Sequence, residues 1–349
     1  MKKIALVVKE IEGGGIQKSY LTLFHSLRKY GYDAWLFVLV KPKGFDNHNE
    51  RIIFLGGKTG FQKGLHLRRL MQKHAPFSLA IVNAEYMKKY IPLERERIFF
   101  TVHVMWSQRL GRGISRWTKL LKLRLRYFHQ NIVAVSRGIQ DDLLYKIKVI
   151  PGQIHIIPDP YDIDDIAQKA AIPLPASIPE NYIVAVGSLL DVKRYDLMID
   201  AFSQLADKSL HLVIVGGGRR YDALRQEIEV RKLRERVHLI GFDTNPYRYI
   251  RNAKLLVLSS DSEGFSRVLI EALILKKPIV STDCTPIFEE DFFPSALKKY
   301  IVPKGNAAAL AQSVEAALRE YPEISSDFYH AFADDKIIDA YLSLIRAPE

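Results

Sequence analysis

The sequence predicts an α/β protein with two doubly wound domains, each built on a parallel β-sheet. Short apolar runs typical of buried strands alternate with helical patterns along the chain. With 349 residues the chain exceeds one typical domain. Prolines cluster between positions 158 and 179, as expected of a domain boundary. We therefore predict an N-terminal domain over residues 1–160, a C-terminal domain over 161–330 and a terminal helix over about 331–349.

The first half contains six apolar runs of strand length. A glycine triplet, Gly13–Gly15, precedes a helical pattern that extends to about Lys29, and Ser136 is placed to cap the helix after the sixth run. The predicted strands are residues 3–8, 34–40, 51–55, 79–83, 98–102 and 131–135.

The second half repeats this scheme with six further strands and intervening helices. Near the C-terminus, Ile337, Ile338, Tyr341 and Ile345 share one helical face, which suits packing against either domain. Two doubly wound domains are expected to bind ligands in a cleft at the carboxyl ends of their strands. The predicted strands lie near residues 183–187, 210–215, 236–240, 254–258, 278–281 and 300–302.

The net charge of +12 is concentrated in the first half. Residues 1–160 hold 28 Lys/Arg and 11 Asp/Glu, a balance of +17, whereas the remainder holds 23 and 28, a balance of −5. A basic first half favours anionic partners. The single cysteine, Cys284, fits a reducing compartment, and no apolar stretch approaches the roughly 20 residues that span a bilayer. We expect a cytoplasmic protein, free or attached to the membrane from that side.

Residues 253–282 place two carboxylates around a helix start. Glu263 lies in the loop ahead of a helix that begins near Ser266, and Glu271, in the second turn, leans back toward the helix start. Free amides and the helix dipole there favour a diphosphate. Because Glu271 stands among apolar residues, its carboxylate requires a partner. The alternative is an acid that only stabilises the helix start, together with a surface glutamate.

This segment resembles the E-x7-E signature of the GT4 family of retaining glycosyltransferases, which have the GT-B fold. The resemblance extends over most of the second half. It implies two Rossmann-like domains, a terminal helix that packs back on the first domain, and sugar transfer from a nucleotide diphosphate sugar. The further stretches that carry it are VAVGSLLDVKRYDLMIDAF at 184–202, LHLVIVGGG at 210–218 and VHLIGFDTNPYRYIRNAKLLVLSS at 237–260.

The resemblance implies a donor site in the second domain. Lys193 would pair with the diphosphate, and Glu271 would hold the ribose. Glu263 would act as a catalytic residue that holds the transferred sugar. Ile240 would meet the base through backbone groups while its side chain lies in the core. Further donor contacts are expected from Arg194, Gly217, Gly264, Phe265, Ser266 and Arg267.

In the first domain, Gly14 and Gly15 would approach the donor phosphates, and His103 would act as a catalytic residue close to the donor sugar. Taken alone, the glycines predict only a tight turn and the histidine only a core residue. Two positions depart from the family pattern. Ser188 stands where the family often has arginine. The pair Asp159-Pro160 stands where the family often has Asn-Pro. The second phosphate cation and the contact near Asp159 therefore stay open, with Arg194 a candidate for the cation.

Residues 104–130 form a basic amphipathic segment with seven Lys/Arg and no acid. Ile114, Trp117, Leu121 and Phe128 fall on roughly one helical face. In one interpretation this face packs in the core beneath a solvated basic face. In the other, the segment binds an anionic membrane or a lipid-linked phosphate acceptor. The predicted surface residues are Arg109, Arg112, Arg116, Trp117, Lys119 and Lys122.

The favoured function is transfer of a hexose or N-acetylhexosamine, from UDP in first choice, to a glycan or lipid-linked oligosaccharide. The donor loop has no DxD motif, so no metal cofactor is expected. One alternative is an isomerase of the same fold that converts a UDP-sugar without an acceptor. Another is a catalytically silent protein that binds a membrane or polyanions. No nucleic-acid module accompanies the charge, so nucleic acid is not an expected partner.

Overall fold

The computed structural model forms two compact units. The first unit comprises Met1–Asp162 with Phe332–Glu349, and the second comprises Ile163–Ala331. The structure describes residues 2–11, 14–41, 49–111, 114–325 and 327–345.

The first unit is built on a parallel sheet of seven described strands. The strands are β1 (Lys3–Val8), β2 (Asp33–Val38), β3 (Ile52–Phe54), β4 (Leu79–Val82), β5 (Ile98–Val102), β6 (Asn131–Ala134) and β7 (Gln153–Ile156). They pair in the order β3-β2-β1-β4-β5-β6-β7. The first six confirm the predicted strands. The sequence analysis did not predict β7, because this edge strand is only four residues long and contains no buried residue.

Helices cover the sheet of the first unit. Their starts follow local capping chemistry: Ser136 Oγ accepts from the amide of Ile139, 3.2 Å away, which confirms the predicted cap. Thr59 and Gln62 form a reciprocal capping box. The helices are α1 (Gly15–Lys29), α2 (Gly60–Lys73), α3 (Ile114–Tyr127) and α4 (Arg137–Asp141), which continues as a π-helical stretch (Asp142–Ile147). Short 3-10 turns span Glu85–Tyr90, Arg95–Arg97 and Trp106–Arg109.

The second unit has a parallel sheet of six described strands. These are β8 (Tyr182–Val186), β9 (His211–Val215), β10 (Val237–Gly241), β11 (Leu256–Leu258), β12 (Ile279–Thr282) and β13 (Ile301–Val302). All six confirm predicted strands. They pair in the order β10-β9-β8-β11-β12-β13. The strand order therefore reverses between β8 and β11, which are adjacent in space although about 70 residues apart in sequence.

The helices of the second unit flank this sheet and enclose its apolar core. They are α5 (Ile163–Ala170), α6 (Tyr195–Ser203), α7 (Tyr221–Val230), α8 (Tyr247–Asn252), α9 (Arg267–Ile274), α10 (Ala307–Arg319) and α11 (Asp327–His330). Short 3-10 turns span Asp191–Lys193, Pro286–Glu289 and Ser295–Tyr300.

The terminal helix α12 (Asp334–Ser343) belongs to the first unit and packs against α1. Its Ile337, Ile338 and Tyr341 are buried in the core beside β1 and α1, as their shared face predicts. Tyr30 Oη donates to Asp334 Oδ1, 3.1 Å away, at the start of the helix. The last described segment is thus part of the core of the first unit.

We predict that Gly64→Ala destabilises the protein by about 1–3 kcal/mol through overpacking. A Cβ at Gly64, in the middle of α2, would lie 2.2 Å from the buried ring of Tyr90. Gly60→Ala in the same helix is the matched control, because its Cβ would meet no atom within 4 Å. Urea unfolding should show a loss for the first variant and none for the second. Equal midpoints would contradict the packing of α2.

Candidate active site

The carboxyl edge of the second sheet collects the predicted donor residues where the strand order reverses. The loop after β8 carries Gly187 and Lys193, and the loop after β11 carries Glu263. In open α/β sheets, ligands bind at such a reversal because the two loops diverge and leave a crevice. The sheet topology therefore determines which loops meet at this edge.

An ion pair joins these two loops. Lys193 Nζ lies 2.5 Å from Glu263 Oε1, and the two side chains are only 19% and 13% exposed. Ser260 Oγ donates to the same carboxylate oxygen, 2.8 Å away. Ser259 Oγ donates to the carbonyl of Lys193, 2.9 Å away. Sequence reasoning missed both serines, although the serine-rich loop ahead of Glu263 was the available signal.

Contacts with the end of β12 and with the loop after it hold Glu263 in place. The amide of Glu263 donates to the carbonyl of Cys284 at 2.7 Å, and Thr282 Oγ1 donates to the carbonyl of Ser260 at 2.6 Å. Burial, together with the negative charge of Glu263, raises the pKa of the Cys284 thiol to about 12. The thiol is therefore neutral near pH 7 and is not a nucleophile there.

Glycines bring the backbones of the loops after β8 and β9 into contact. A Cβ at Gly216 would lie 1.9 Å from the carbonyl oxygen of Gly187, so only glycine fits this position. Tyr195 Oη donates to that carbonyl oxygen at 3.0 Å. Burial and the nearby charge of Glu263 raise the pKa of Tyr195, so its hydroxyl remains protonated. The amide of Leu189 donates a hydrogen bond to the carbonyl oxygen of Gly217, 2.9 Å away.

Helix α9 carries the second carboxylate of the motif. Glu271 is 3% exposed, so the surface-glutamate alternative is wrong. Arg267 Nε lies 3.8 Å from Glu271 Oε1, one helical turn away. Ser266 stands at the N-cap of α9, after Gly264 and the buried Phe265. The predicted donor residues 264–267 thus lead directly into the helix start.

Two predicted donor residues have surroundings that the sequence did not reveal. Ile240 is half-buried rather than a core residue, so that prediction is wrong. It lies at a β-bulge, where β10 has one residue more than β9 between Leu239 and Gly241. Arg194 adopts a left-handed backbone with φ of +50° and pairs with Asp196 at 3.0 Å and with Asp261 at 3.3 Å. Two carboxylates thus hold its guanidinium in this structure.

In the first unit, His103 follows β5 directly and forms a buried pair with Asp159. The distance from His103 Nε2 to Asp159 Oδ1 is 3.1 Å, and each side chain is 6% exposed. The Asp-Pro pair that departs from the family pattern thus supplies the partner of the predicted catalytic histidine. Gly14 forms the N-cap of α1 with extended backbone, and Gly15 is the first helical residue. Gly13 lies outside the described residues.

Helix α3 and the residue directly after it present an apolar stripe outward. Trp117, Leu121 and Phe128 are 71%, 58% and 50% exposed, so the interpretation that this face packs in the core is wrong. Leu125, which the sequence analysis did not single out, extends the stripe with 67% exposure. The helix contacts the core through a different row of residues, Leu120, Leu123 and Tyr127. Arg109, Arg116, Lys119 and Lys122 are exposed, and Arg112 lies outside the described residues.

In the described part of the chain, no three His, Cys, Asp or Glu side chains group so as to hold a metal ion. No helix in that part combines the length and apolarity needed to cross a membrane.

We predict that Gly216→Ala destabilises the second unit by about 2–4 kcal/mol, because the new methyl group would force the loops after β8 and β9 apart. Gly217→Ala is the matched control. Its Cβ would come no closer than 3.4 Å to Phe242. The free energy of unfolding of this variant should therefore fall by less than about 1 kcal/mol. Urea unfolding of both variants measures the difference. A Gly216→Ala variant as stable as Gly217→Ala would contradict the close loop contact.

Two family models match the chain in succession. The model described as Glycosyltransferase Family 4 matches residues 13–165, and Glycosyl transferases group 1 matches residues 167–332. The chain is 36% identical over 152 residues to the N-acetylgalactosamine-N,N'-diacetylbacillosaminyl-diphospho-undecaprenol 4-alpha-N-acetylgalactosaminyltransferase of Campylobacter jejuni. This match covers 44% of the chain and 41% of the relative. The chain thus spans less than half the length of the first curated relatives that it matches.

Solved structures resemble the whole chain. Anabaena HepE in complex with UDP and glucose has a TM-score of 0.80 at 16% identity, over 100% of both chains. A Staphylococcus aureus TarM mutant in complex with fondaparinux, alpha-GlcNAc-glycerol and UDP has a TM-score of 0.74 at 13% identity, over 99% of this chain and 100% of that one. These likenesses confirm the predicted fold class. With both family models in succession along it, the chain belongs to the glycosyltransferases that join a Family 4 domain to a group 1 domain.

Proposed function

We propose that the protein transfers a hexose or N-acetylhexosamine from a nucleotide diphosphate sugar, with UDP as the nucleotide, and retains the anomeric configuration. The observation that carries this proposal is the Lys193–Glu263 pair at the strand-order reversal, beside the start of α9 and its buried Glu271. This arrangement offers a cation, helix-start amides and two carboxylates within one unit. A nucleotide diphosphate sugar presents the matching diphosphate and hydroxyl groups.

The diphosphate is the group that Lys193 would bind. The contact with Glu263 already holds the charge of Lys193 at the carboxyl edge of the sheet, so little reorganisation would be needed when phosphate oxygens arrive. The amides at the start of α9 add hydrogen-bond donors and the positive end of the helix dipole. Protein groups would thus stabilise the charge that develops on the leaving diphosphate, and we propose that no metal is required.

The two carboxylates would hold hydroxyl groups on either side of the diphosphate. Glu271 is buried in α9 and would accept hydrogen bonds from the ribose diol. Glu263, fixed by Ser260 and by the backbone of Cys284, would accept from a hydroxyl of the transferred sugar. The backbone of Ile240, at the bulge of β10, would meet the base. Gly217 and Arg194 would complete the donor contacts.

The proposed retaining route needs no nucleophilic side chain. We propose that the acceptor hydroxyl attacks on the face from which the diphosphate departs, through an oxocarbenium-like transition state. The departing phosphate would take the acceptor proton, so no protein nucleophile is needed. The Campylobacter relative is named for an alpha linkage, which a retaining enzyme forms from an alpha-configured donor.

We propose that α3 brings the chain to an anionic membrane at its cytoplasmic face, where a lipid-linked glycan is the acceptor. The exposed stripe comprises Trp117, Leu121 and Leu125 of α3 and Phe128 directly after it, and the helix also carries exposed cations. Such a helix inserts its apolar side among lipid head groups while each cation contributes about 1 kcal/mol at an anionic surface. The name of the Campylobacter relative includes a diphospho-undecaprenol acceptor, which supports a lipid-linked substrate.

We predict that UDP stabilises the wild-type protein in the presence of EDTA and that Glu271→Gln removes most of this effect, since the variant loses the charge that holds the ribose. A ligand at about 100 times its dissociation constant stabilises by about 2.7 kcal/mol. Glu235→Gln, at an exposed carboxylate of the same unit, is the matched control and should keep the full shift. Thermal unfolding with UDP, GDP, ADP and CMP measures the shift of the midpoint that each nucleotide causes in each protein. Absence of any nucleotide effect in wild type would contradict the donor site.

We predict that the chain co-floats with vesicles containing phosphatidylglycerol and not with vesicles of phosphatidylcholine alone. The double variant Trp117→Ser, Leu121→Ser should reduce binding at least tenfold, because both apolar side chains would leave the lipid interface. Val230→Ser, at a position 82% exposed in the second unit, is the control and should bind normally. Binding should weaken with added salt. Equal flotation of all three proteins would contradict docking through α3.

A further inference from the structure

The geometry points to Asp159 as a positioning residue that holds His103 in one tautomer. In that tautomer Nε2 carries the proton and Nδ1 accepts a hydrogen bond from a sugar hydroxyl. The identity of the ligand rests on the proposed function, whereas the tautomer is a property of the protein alone. The two parts of the inference can therefore fail separately.

The hydrogen-bond chemistry of the pair determines the proton position. An ionised carboxylate only accepts hydrogen bonds, and a neutral imidazole has one donor and one acceptor nitrogen. His103 Nε2 faces Asp159 Oδ1 at 3.1 Å. In the neutral imidazole Nε2 is then the donor, and Nδ1 keeps its lone pair. This is how a carboxylate fixes the tautomer of histidine in other enzymes.

The other nitrogen of His103 is what points to a ligand. Nδ1 is buried and has no hydrogen-bond partner among the residues that the structure describes. A buried polar atom without a partner costs about 1–3 kcal/mol, so such atoms in native proteins call for an explanation. A ligand hydroxyl that donates to Nδ1 supplies the missing hydrogen bond.

Two tyrosines near the His103–Asp159 pair, Tyr20 and Tyr341, are polar but uncharged. Burial is the main cause that raises the pKa of both Tyr20 and Tyr341, and the charge of Asp159 adds to it in both cases. Both hydroxyls therefore stay protonated at neutral pH. Tyr20 Oη and Thr101 Oγ1 lie 2.8 Å apart, which links α1 to the end of β5 beside His103. These tyrosines come from α1 and α12, so the terminal helix contributes to the same cluster.

The departure from the family pattern gives Asp159 its specific effect. An asparagine at this position offers both a donor and an acceptor, so it does not determine which imidazole nitrogen carries the proton. The carboxylate of Asp159 only accepts hydrogen bonds, so the proton of the neutral imidazole must lie on the nitrogen that faces it. In this chain, the Asp-Pro pair therefore converts His103 into a single-tautomer acceptor.

The experiment is two-bond 1H–15N correlation NMR of the histidines at pH 7.5, with Asp159→Asn as the test variant. The spectrum of His103→Gln identifies the His103 signals. Asp162→Asn, which removes another carboxylate of the same unit near Lys29, is the matched control. Wild type and control should show His103 only as the Nε2–H form. Asp159→Asn should show a population with the proton on Nδ1.

Turnover of a UDP-sugar is the second readout. Asp159→Asn should lower kcat about tenfold and change KM less than twofold, while its thermal midpoint stays near that of wild type. A wild-type His103 that is protonated on Nδ1, or an unchanged spectrum in Asp159→Asn, overturns the tautomer. An unchanged kcat overturns the positioning role. A wild type that shows the expected tautomer but turns over no sugar nucleotide overturns the proposed function instead.

Discussion

The ion pair between Lys193 and Glu263 is the interaction on which the site of the second unit depends. These residues are 70 positions apart in sequence, and they meet because β8 and β11 are adjacent at the strand-order reversal. Both side chains are largely buried, so removal of one partner leaves the other charge without its ion-pair partner in a largely buried place. The serines that bond to Lys193 and Glu263 make this pair part of the loop structure.

Close backbone contact provides the second constraint. Gly216 lets the loop after β9 contact the carbonyl of Gly187. The Tyr195 hydroxyl donates a hydrogen bond to the same carbonyl oxygen. The neutral Cys284 thiol and the protonated Tyr195 hydroxyl carry no charge. The charges fixed in these loops therefore come from lysine, arginine and carboxylates.

Sequence periodicity predicted most of the fold because buried parallel strands are short apolar runs between helices. It missed β7, a four-residue edge strand whose residues are exposed or half-buried. For α3 the spacing of Trp117 and Leu121 identified an apolar face, but periodicity alone does not say whether such a face meets the core or solvent. The structure shows that the core contact is made by Leu120, Leu123 and Tyr127 instead.

The site was predictable where a motif is local and unpredictable where it depends on distant pairing. The spacing of Glu263 and Glu271 is readable along one loop and helix. The contact between His103 and Asp159 spans 56 positions and joins the segments that follow β5 and β7, so no local pattern reveals it. The bulge at Ile240 likewise depends on the register between β9 and β10.

The most direct test of the central claim compares UDP with UMP by isothermal titration calorimetry, in EDTA, on wild type and Lys193→Ala. If Lys193 binds the diphosphate, wild type should prefer UDP over UMP at least tenfold, since a charge-assisted hydrogen bond contributes about 1.5–3 kcal/mol. The variant should prefer UDP less than about threefold. The same UDP preference in both proteins would contradict the assignment of Lys193 and, with it, the account of the donor site.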